Sequence, residues 1–139
     1  MTAITTRKDV RRQENNVGHL KLAANTTIPE GALVGISATG LAINAVAGAS
    51  TGRVAGVATK TASNQNGKSD DHVEFDTYGV IEVVAGFTAA QADVGTYVKV
   101  TDNQTVAKHV DGTDAANLAI GRIVEVISSS RIRIALKTV

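Results

Sequence analysis

The stretch that decides the fold is LAIGRIVEVISSSRIRIAL, residues 118–136. Two apolar segments, 118–127 and 131–136, flank three serines. In the second segment Ile132, Ile134 and Leu136 alternate with polar or small residues, which is typical of a half-buried β-strand. Serine is an ordinary turn residue between two strands. The stretch therefore predicts two antiparallel strands joined by a short turn.

Short segments of the same kind recur upstream, separated by Gly, Asn and Asp turns. Two more hairpins are predicted around Ala38-Thr39-Gly40 and Asp102-Asn103-Gln104. Residues 88–93 form the one helical candidate, with Thr88 as its cap, and the polar residues 61–71 read as an exposed loop. Further strands are expected at residues 20–23, 54–59, 73–77 and 80–85. This spacing predicts an all-β fold, a small β-sandwich or barrel with one short helix, over residues 20–139.

Residues 1–19 differ from this body in composition. They contain few apolar residues and carry Arg7, Lys8, Arg11 and Arg12. Through Leu22 there are five basic and two acidic residues, whereas the remainder has nine basic and eleven acidic residues. We expect an extended N-terminal arm that orders on a partner; a helix over residues 7–15 is the competing interpretation.

The composition excludes several classes of protein. The chain of 139 residues has no Cys, so disulfides, thiolate catalysis and Cys-ligated metals are ruled out. Aromatic residues make up only 3%, so the core is built from aliphatic side chains. The first residues lack the apolar segment of a secretory signal, and no apolar run reaches the roughly 20 residues of a membrane helix. We expect one soluble domain, made in the cytosol.

One row of polar residues is a weak candidate for a metal site. Asp70, His72, Glu74 and Asp76 would share one face of a strand. Oxygen ligands and an imidazole suit a divalent cation, but a linear row converges poorly on one ion. We therefore favour a solvated strand face, with Val73 and Phe75 pointing inward.

No pattern in the chain indicates catalysis. A serine nucleophile at 128–130 with His72 or His109 as its base is the one catalytic arrangement to consider, but the serines lack the sequence of a nucleophile elbow. Glycine-rich phosphate-binding motifs are absent as well. We expect no enzyme, no catalytic residues and no cofactor.

The basic arm favours a protein partner over nucleic acid. Its four cations can neutralise phosphates, but the body is slightly acidic and has few aromatic side chains to stack on bases. A basic arm can equally lie along an acidic protein surface. We expect neither nucleic acid nor a membrane as partner.

A weak internal echo links two segments. Gly52-Arg53 and Gly121-Arg122 each enter an apolar strand, and glycine there permits a bulge or a close backbone approach. Because short strands produce such echoes easily, we favour coincidence over an internal duplication.

The second half of the chain resembles a known family. The segments FTAAQADVGTYVKVTDNQTV (87–106) and AIGRIVEVI (119–127) resemble the capsid cement, or head decoration, proteins of tailed bacteriophages. IPEGALVGI (28–36) and GRVAGVA (52–58) are similar to the first half of the same family. The resemblance covers residues 20–137 and implies a compact β fold of the β-tulip kind, without catalytic residues.

The resemblance also implies a function. We expect a virion structural protein that binds the outer surface of a phage capsid and reinforces the shell. The expected partner is the major capsid protein, and the expected oligomer is a homotrimer whose arms, with Arg7, Lys8, Arg11 and Arg12, lie on neighbouring subunits. The alternative is a β-sandwich adhesion or carbohydrate-binding module of a phage tail or fibre, which the scarcity of Trp and Tyr disfavours.

Overall fold

The structure is a computed structural model that describes residues 17–48 and 51–137. Strands make up most of its regular secondary structure, and the all-β prediction is confirmed. The strands are, in chain order, β1 (Val17–Lys21), β2 (Thr27–Ile28), β3 (Leu33–Ile36), β4 (Ala42–Asn44), β5 (Val54–Ala58), β6 (Ala62–Ser63), β7 (His72–Asp76), β8 (Val80–Ala85), β9 (Tyr97–Val100), β10 (Thr105–Lys108), β11 (Gly121–Ser128) and β12 (Arg131–Leu136).

The last five strands close into a small barrel, which we call the C-terminal unit. Their order around the barrel is β10-β8-β12-β11-β9, and β9 pairs with β10 to complete the circle. Every neighbouring pair is antiparallel except β8 and β10, which run parallel. The expected hairpin around Ser128-Ser129-Ser130 is the β11–β12 pair. Closure satisfies the backbone without leaving a free sheet edge.

The first half of the chain repeats this arrangement. Its five-stranded sheet has the order β1-β7-β5-β3-β4, and we call it the N-terminal unit. A parallel bridge between Leu22 and Ala42 brings the two outer strands, β1 and β4, together. Reading β1, β3, β4, β5 and β7 as counterparts of β8, β9, β10, β11 and β12 reproduces every strand neighbour and direction.

The match extends to individual residue pairs. Leu20 is paired with Val73 as Val83 is with Ile132. The N–H of Gly31 donates to the Ala58 carbonyl at 2.8 Å, and in the other unit the N–H of Gly95 donates to the Ile123 carbonyl, also at 2.8 Å. Equivalent residues, N-terminal unit first, are Gly31 and Gly95, Leu33 and Tyr97, Thr39 and Asn103, Ala42 and Val106, Ala45 and His109, Gly56 and Gly121, Val57 and Arg122, Ala58 and Ile123, and Phe75 and Ile134.

The sequence echo had suggested this repeat in a different register. The structure repeats the strand arrangement in another register: the counterpart of Gly121 is Gly56, four residues beyond Gly52. A Cβ on Gly121 would lie 2.6 Å from the Ala135 carbonyl oxygen, and one on Gly56 would collide with the equivalent carbonyl of Asp76. Both glycines are required because a neighbouring strand passes too close for a side chain.

The two interiors are built from different side chains at equivalent positions. In the C-terminal unit Val106, Ile123 and Ile134 are buried. Their counterparts in the N-terminal unit are two alanines and one aromatic residue, Phe75. At these three positions one large ring and two small residues stand where the other unit has three branched side chains, so the same strand arrangement is built on different core residues.

The units share apolar contacts. Leu33, Ala45 and Val54 lie in the N-terminal unit but belong to the hydrophobic cluster of the C-terminal unit. The N–H of Leu33 also donates to the carbonyl of Asn103, in the β9–β10 hairpin, at 2.9 Å. We therefore treat the described chain as one body built from two similar units.

The helix expected at residues 88–93 is shorter than predicted. A 3₁₀ turn covers Gln91–Asp93, preceded by Ala90 in place of Thr88, and a second 3₁₀ turn covers Ala116–Leu118. The N–H of Ala89 donates to the carbonyl of Ser129 at 2.9 Å. This contact holds the backbone against the β11–β12 turn, so a helix cannot begin at residue 88.

Two expected boundaries also differ. Residues 17–19 were assigned to the arm but open β1, where Gly18 and Leu20 face the interior and β7 supplies the pairing. Within the loop expected at 61–71, β6 pairs with β2, and Ala62 and Ser63 are buried. In both cases the pairing strand is distant in sequence, so local composition could not indicate it. The arm predicted at residues 1–16, including Arg7, Lys8, Arg11 and Arg12, lies outside the described residues.

Candidate functional site

The predicted polar face of β7 is present. Val73 and Phe75 point into the N-terminal unit, while His72 and Asp76 are exposed and Glu74 is half-buried between them. The alternation read from the sequence is confirmed for these five residues. The face lies beside β1, whose His19 is opposite Glu74.

Asp70 does not join that face. It precedes β7, and its Oδ2 accepts a hydrogen bond from the N–H of Ser63 at 2.9 Å, which fastens the 64–71 loop to β6. Asp71 instead lies beside His72, with 3.1 Å between its Oδ2 and the Nδ1 of the imidazole. The four candidate residues are thus divided among different local contacts.

Glu74 is held by neighbours on both sides. The hydroxyl of Thr59 donates to its Oε1 at 2.7 Å, and the Nε2 of His19 lies 3.4 Å from its Oε2. The hydrogen bond from Thr59 is the main reason that the pKa of Glu74 lies below its ordinary value, with smaller contributions from Lys60 and His19. Such a carboxylate is ionised and already occupied by protein donors.

This geometry does not support a metal centre. Within residues 17–48 and 51–137, no group of three or more His, Asp or Glu side chains is placed to hold a metal ion. His19, Lys60, Asp70 and Glu74 line a shallow depression of about 200 Å³. The ammonium group of Lys60 on its wall would repel a cation. The face is therefore best described as a hydrogen-bonded polar surface.

The serines and histidines considered for catalysis form hydrogen bonds to different groups. In the β11–β12 turn the N–H of Ser130 donates to the hydroxyl of Ser128 at 3.3 Å, as turn residues do. The Nε2 of His109 bonds to the carbonyl of Ala115 at 2.9 Å. In the described part of the chain, no serine hydroxyl bonds to a histidine ring.

A cleft of about 380 Å³ lies between the two units. Its walls include Gly52, Lys99, Asp114 and Leu118. The Nζ of Lys99 donates to the Oδ1 of Asp114 at 2.9 Å, and this bond is the main reason that the pKa of Asp114 is lowered. The pair neutralises itself and ties the 109–118 loop to β9, so neither group is free to act on a ligand.

One exposed surface was missed by sequence reasoning. We call Tyr97, His109, Arg122 and Lys137 the β9 face; it covers the outside of the C-terminal unit. The Nζ of Lys137 lies 5.4 Å from the centre of the Tyr97 ring, a cation–π distance. The available signal was Tyr97 itself, a large aromatic residue at an outward strand position in a chain with only two tyrosines.

His109 on that face has an unusual environment. Its side chain is only 5% exposed, its Nδ1 has no hydrogen-bond partner, and the nearest acidic oxygen, on Asp111, is 3.5 Å away. The Nε2 donates to the carbonyl of Ala115 at 2.9 Å, and the Nδ1 faces the Asp111 carboxylate. The histidine thus braces the 109–115 loop against β9.

The attachment point of the basic segment is well defined. β1 begins at Val17, opposite Asp76, and pairs with β7 over five residue pairs.

Among the described residues, no helix is long and apolar enough to cross a membrane. A scan against protein-family models, a search of curated proteins and a search of solved structures each found no match to this chain.

Proposed function

We propose that this protein is a virion structural protein that binds the outside of a phage capsid and reinforces it. The observation that carries the proposal is the direct connection between the basic segment and β1. A segment rich in Arg leads into a strand that is paired along its whole length with β7. We further propose that the copies act as homotrimers and that the partner is the major capsid protein.

The connection suits a mechanical role. A pull on the basic segment, directed along β1, loads the hydrogen bonds of the β1–β7 ladder together rather than one after another. The buried Leu22 that follows β1 and the half-buried Leu20 add side-chain packing to this anchor. An arm fixed in this way transmits force from a capsid subunit into the body instead of peeling a strand away.

The described surface supports attachment better than catalysis. Two of its carboxylates are occupied by internal donors, in the bonds of Glu74 with Thr59 and of Asp114 with Lys99. A rigid body with a filled interior, joined to a charged segment, suits a clamp that acts in many copies. The arm's charge favours an acidic protein surface as its target.

Cosedimentation with empty capsids tests the proposal. Because residues 17–21 form β1, the deletion must end at residue 16 so that the fold remains intact. We expect the shortened protein to keep its circular dichroism spectrum and to lose binding, and we expect binding of the full chain to weaken as salt is raised. Capsid binding that survives the deletion unchanged would contradict the role of the arm.

A matched pair of variants separates charge from length. Arg11→Gln with Arg12→Gln removes two charges from the arm, whereas Lys60→Gln with Lys68→Gln removes two exposed charges from the body. We expect only the arm variant to weaken capsid binding, by about tenfold if each charge contributes about 0.7 kcal/mol. Equal losses in both variants would point to a non-specific effect of net charge.

The alternative function keeps one specific observation in its favour. Tyr78 and Tyr97 are both exposed, at 72% and 41%, and sugar-binding surfaces use exposed aromatic rings. Binding of the full chain to a glycan array, lost on Tyr78→Ala, would support an adhesion or carbohydrate-binding module instead.

A further inference from the structure

The contact between the two units has a defined geometry. The β9–β10 hairpin of the C-terminal unit meets the outer side of β3 in the N-terminal unit, which we call the β3 face: Leu33, Ala45 and Val57. The N–H of Leu33 donates to the Asn103 carbonyl at 2.9 Å, and Asn103 also donates through Nδ2 to the Oδ1 of Asn44 at 3.1 Å.

The residues of the β3 face are buried in this contact. Leu33 is only 1% exposed, and Ala45 is buried as well. Both belong to the hydrophobic cluster of the C-terminal unit, against which Val57 also packs. A hairpin seated on the outer side of a neighbouring sheet is therefore the way in which one unit of this fold binds another.

Both surfaces of that contact, the β3 face and the β9–β10 hairpin, have a structural counterpart elsewhere in the chain. The equivalents of Leu33, Ala45 and Val57 are Tyr97, His109 and Arg122, which belong to the β9 face. Tyr97 is 41% exposed where Leu33 is covered, and Arg122 is exposed.

The hairpin that would fill this face is free as well. The counterpart of the β9–β10 hairpin is the β3–β4 hairpin, and the N–H of Ser37 donates to the Leu41 carbonyl just as the N–H of Thr101 donates to that of Thr105, both at 2.8 Å. At its tip Ala38, Thr39 and Gly40 are exposed. One molecule thus carries an exposed hairpin and a β face on which Tyr97 and Arg122 are exposed, while His109 between them is covered by the 109–115 loop of its own unit.

We infer that the β9 face binds the β3–β4 hairpin of a second copy of this chain, head to tail. The arrangement repeats between molecules the contact that already joins the two units within one molecule. Such a contact joins two different surfaces, so copies form a ring if the rotation closes and a filament if it does not. Thr39 of one copy would lie beside Tyr97 of the next, as Asn103 lies beside Leu33.

The chemistry of the β9 face favours a reversible contact. Tyr and Arg are enriched at the centres of protein interfaces, where they contribute much of the binding energy. The permanent contact within the chain uses Leu, Ala and Val at the same three positions. Tyr97 and Arg122 in place of Leu33 and Val57 keep the exposed part of the face compatible with water while the partner is absent.

Sedimentation velocity over a range of protein concentrations tests the inference without capsids. We expect the full chain to self-associate, and Thr39→Arg to shift the midpoint by about tenfold or more to higher concentration because it brings a cation against Arg122 and Lys137. Ser129→Arg, which adds the same charge at the exposed β11–β12 turn, should leave the midpoint unchanged. A full chain that stays monomeric at every concentration would show that the β9 face is a polar end cap, and would overturn the inference.

Disulfide trapping identifies the surfaces. The chain has no cysteine, so Thr39→Cys and Tyr97→Cys introduce the only thiols. A 2.9 Å hydrogen bond joins the equivalent backbones, which brings the two Cα atoms into the range that a disulfide spans. We expect a cross-linked dimer from the mixture of the two variants and none from either alone. A dimer from Tyr97→Cys alone would mean that the face pairs with itself, and would refute the head-to-tail contact.

This inference is independent of capsid binding. Self-association without capsid binding would leave the contact standing and refute the proposed virion role, whereas capsid binding by a strict monomer would do the reverse. If both hold, the head-to-tail contact is the one that joins the proposed trimer.

Discussion

At the scale of single residues, hydrogen bonds to carboxylates organise the loops. Asp93 accepts from the N–H of Ala90 at 2.9 Å, and Asp102 accepts from the N–H of Gln104, also at 2.9 Å. These bonds are the main reason that the pKa of each carboxyl lies below its ordinary value of 3.8. Each aspartate therefore stabilises its turn more strongly when it is ionised.

The bond between Thr59 and Glu74 gives a residue-scale prediction. Thr59→Val removes the main cause of the low pKa of Glu74, so that pKa should rise towards its ordinary value of 4.5. Because the folded pKa is depressed, the stabilisation is present above the unfolded pKa and is lost as the pH falls through the folded pKa. Carboxyl NMR titration of Glu74 measures the shift directly.

A double-mutant cycle controls this prediction. In the Glu74→Gln background the Thr59→Val exchange should change stability equally at pH 7 and pH 3, because no charge remains to titrate. An unchanged pKa of Glu74 in Thr59→Val would show that Lys60 and His19, rather than the hydroxyl, hold it low.

At the scale of strands, one glycine in each unit allows two neighbouring strands to approach closely. Gly56 in β5 and Gly121 in β11 both face the carbonyl of a neighbouring strand, at Asp76 and Ala135. The next nearest side chains are Phe75 and Ile134, which are themselves equivalent. The same steric constraint therefore acts twice in the chain, although the surrounding residues differ.

These contacts predict a difference between two glycine substitutions. Gly56→Ala should destabilise the protein by about 3 kcal/mol, because its Cβ meets backbone that cannot move without breaking the ladder. Gly18→Ala should cost less, since its Cβ meets the outer atoms of the Phe75 ring, at 2.6 Å, which can shift. Urea unfolding of both variants measures the difference, and equal losses would mean that the β5–β7 backbone adapts.

At the scale of the whole molecule, the repeat provides an internal control. Leu33 and Tyr97 occupy equivalent positions, but only Leu33 is covered by the other unit. Leu33→Ala should destabilise the monomer by about 3 kcal/mol, whereas Tyr97→Ala should cost under about 1 kcal/mol. Thermal unfolding of dilute protein checks both values. If the two losses were equal, Leu33 would not be part of a shared core.

Local structure could be predicted from the sequence, whereas the arrangement of the candidate site could not. The all-β class, the hairpins at 38–40 and 102–104, and the alternation of Val73 and Phe75 follow from local patterns, because turn residues and period-two alternation act over a few residues. Asp70 shows the limit for the candidate site. Its position suggested a shared face with His72, but a contact with Ser63 in β6 directs it elsewhere.

The repeat was hidden for a similar reason. Equivalent interior positions hold Ala58 and Phe75 in one unit and Ile123 and Ile134 in the other, so no motif recurs. What the two units share is the strand arrangement and the burial of these positions, and neither is visible as a residue type. The Gly-Arg echo pointed to β5 and β11 correctly as counterparts, but it paired Gly52 with Gly121 because a Gly-Arg dipeptide is easier to recognise than a lone glycine beside a carbonyl.

The amino-acid sequence by itself determined the all-β class of this protein, its turns, and the contrast in charge between a basic segment and a slightly acidic body. The tertiary structure alone decided that the body is one five-stranded arrangement used twice, and which outward residues are covered. The alternation of residues along a strand indicates which side chains share a face of the sheet, but not what packs against that face. Leu33 and Tyr97 are both outward residues of equivalent strands, and only the neighbouring unit makes one of them core and leaves the other exposed.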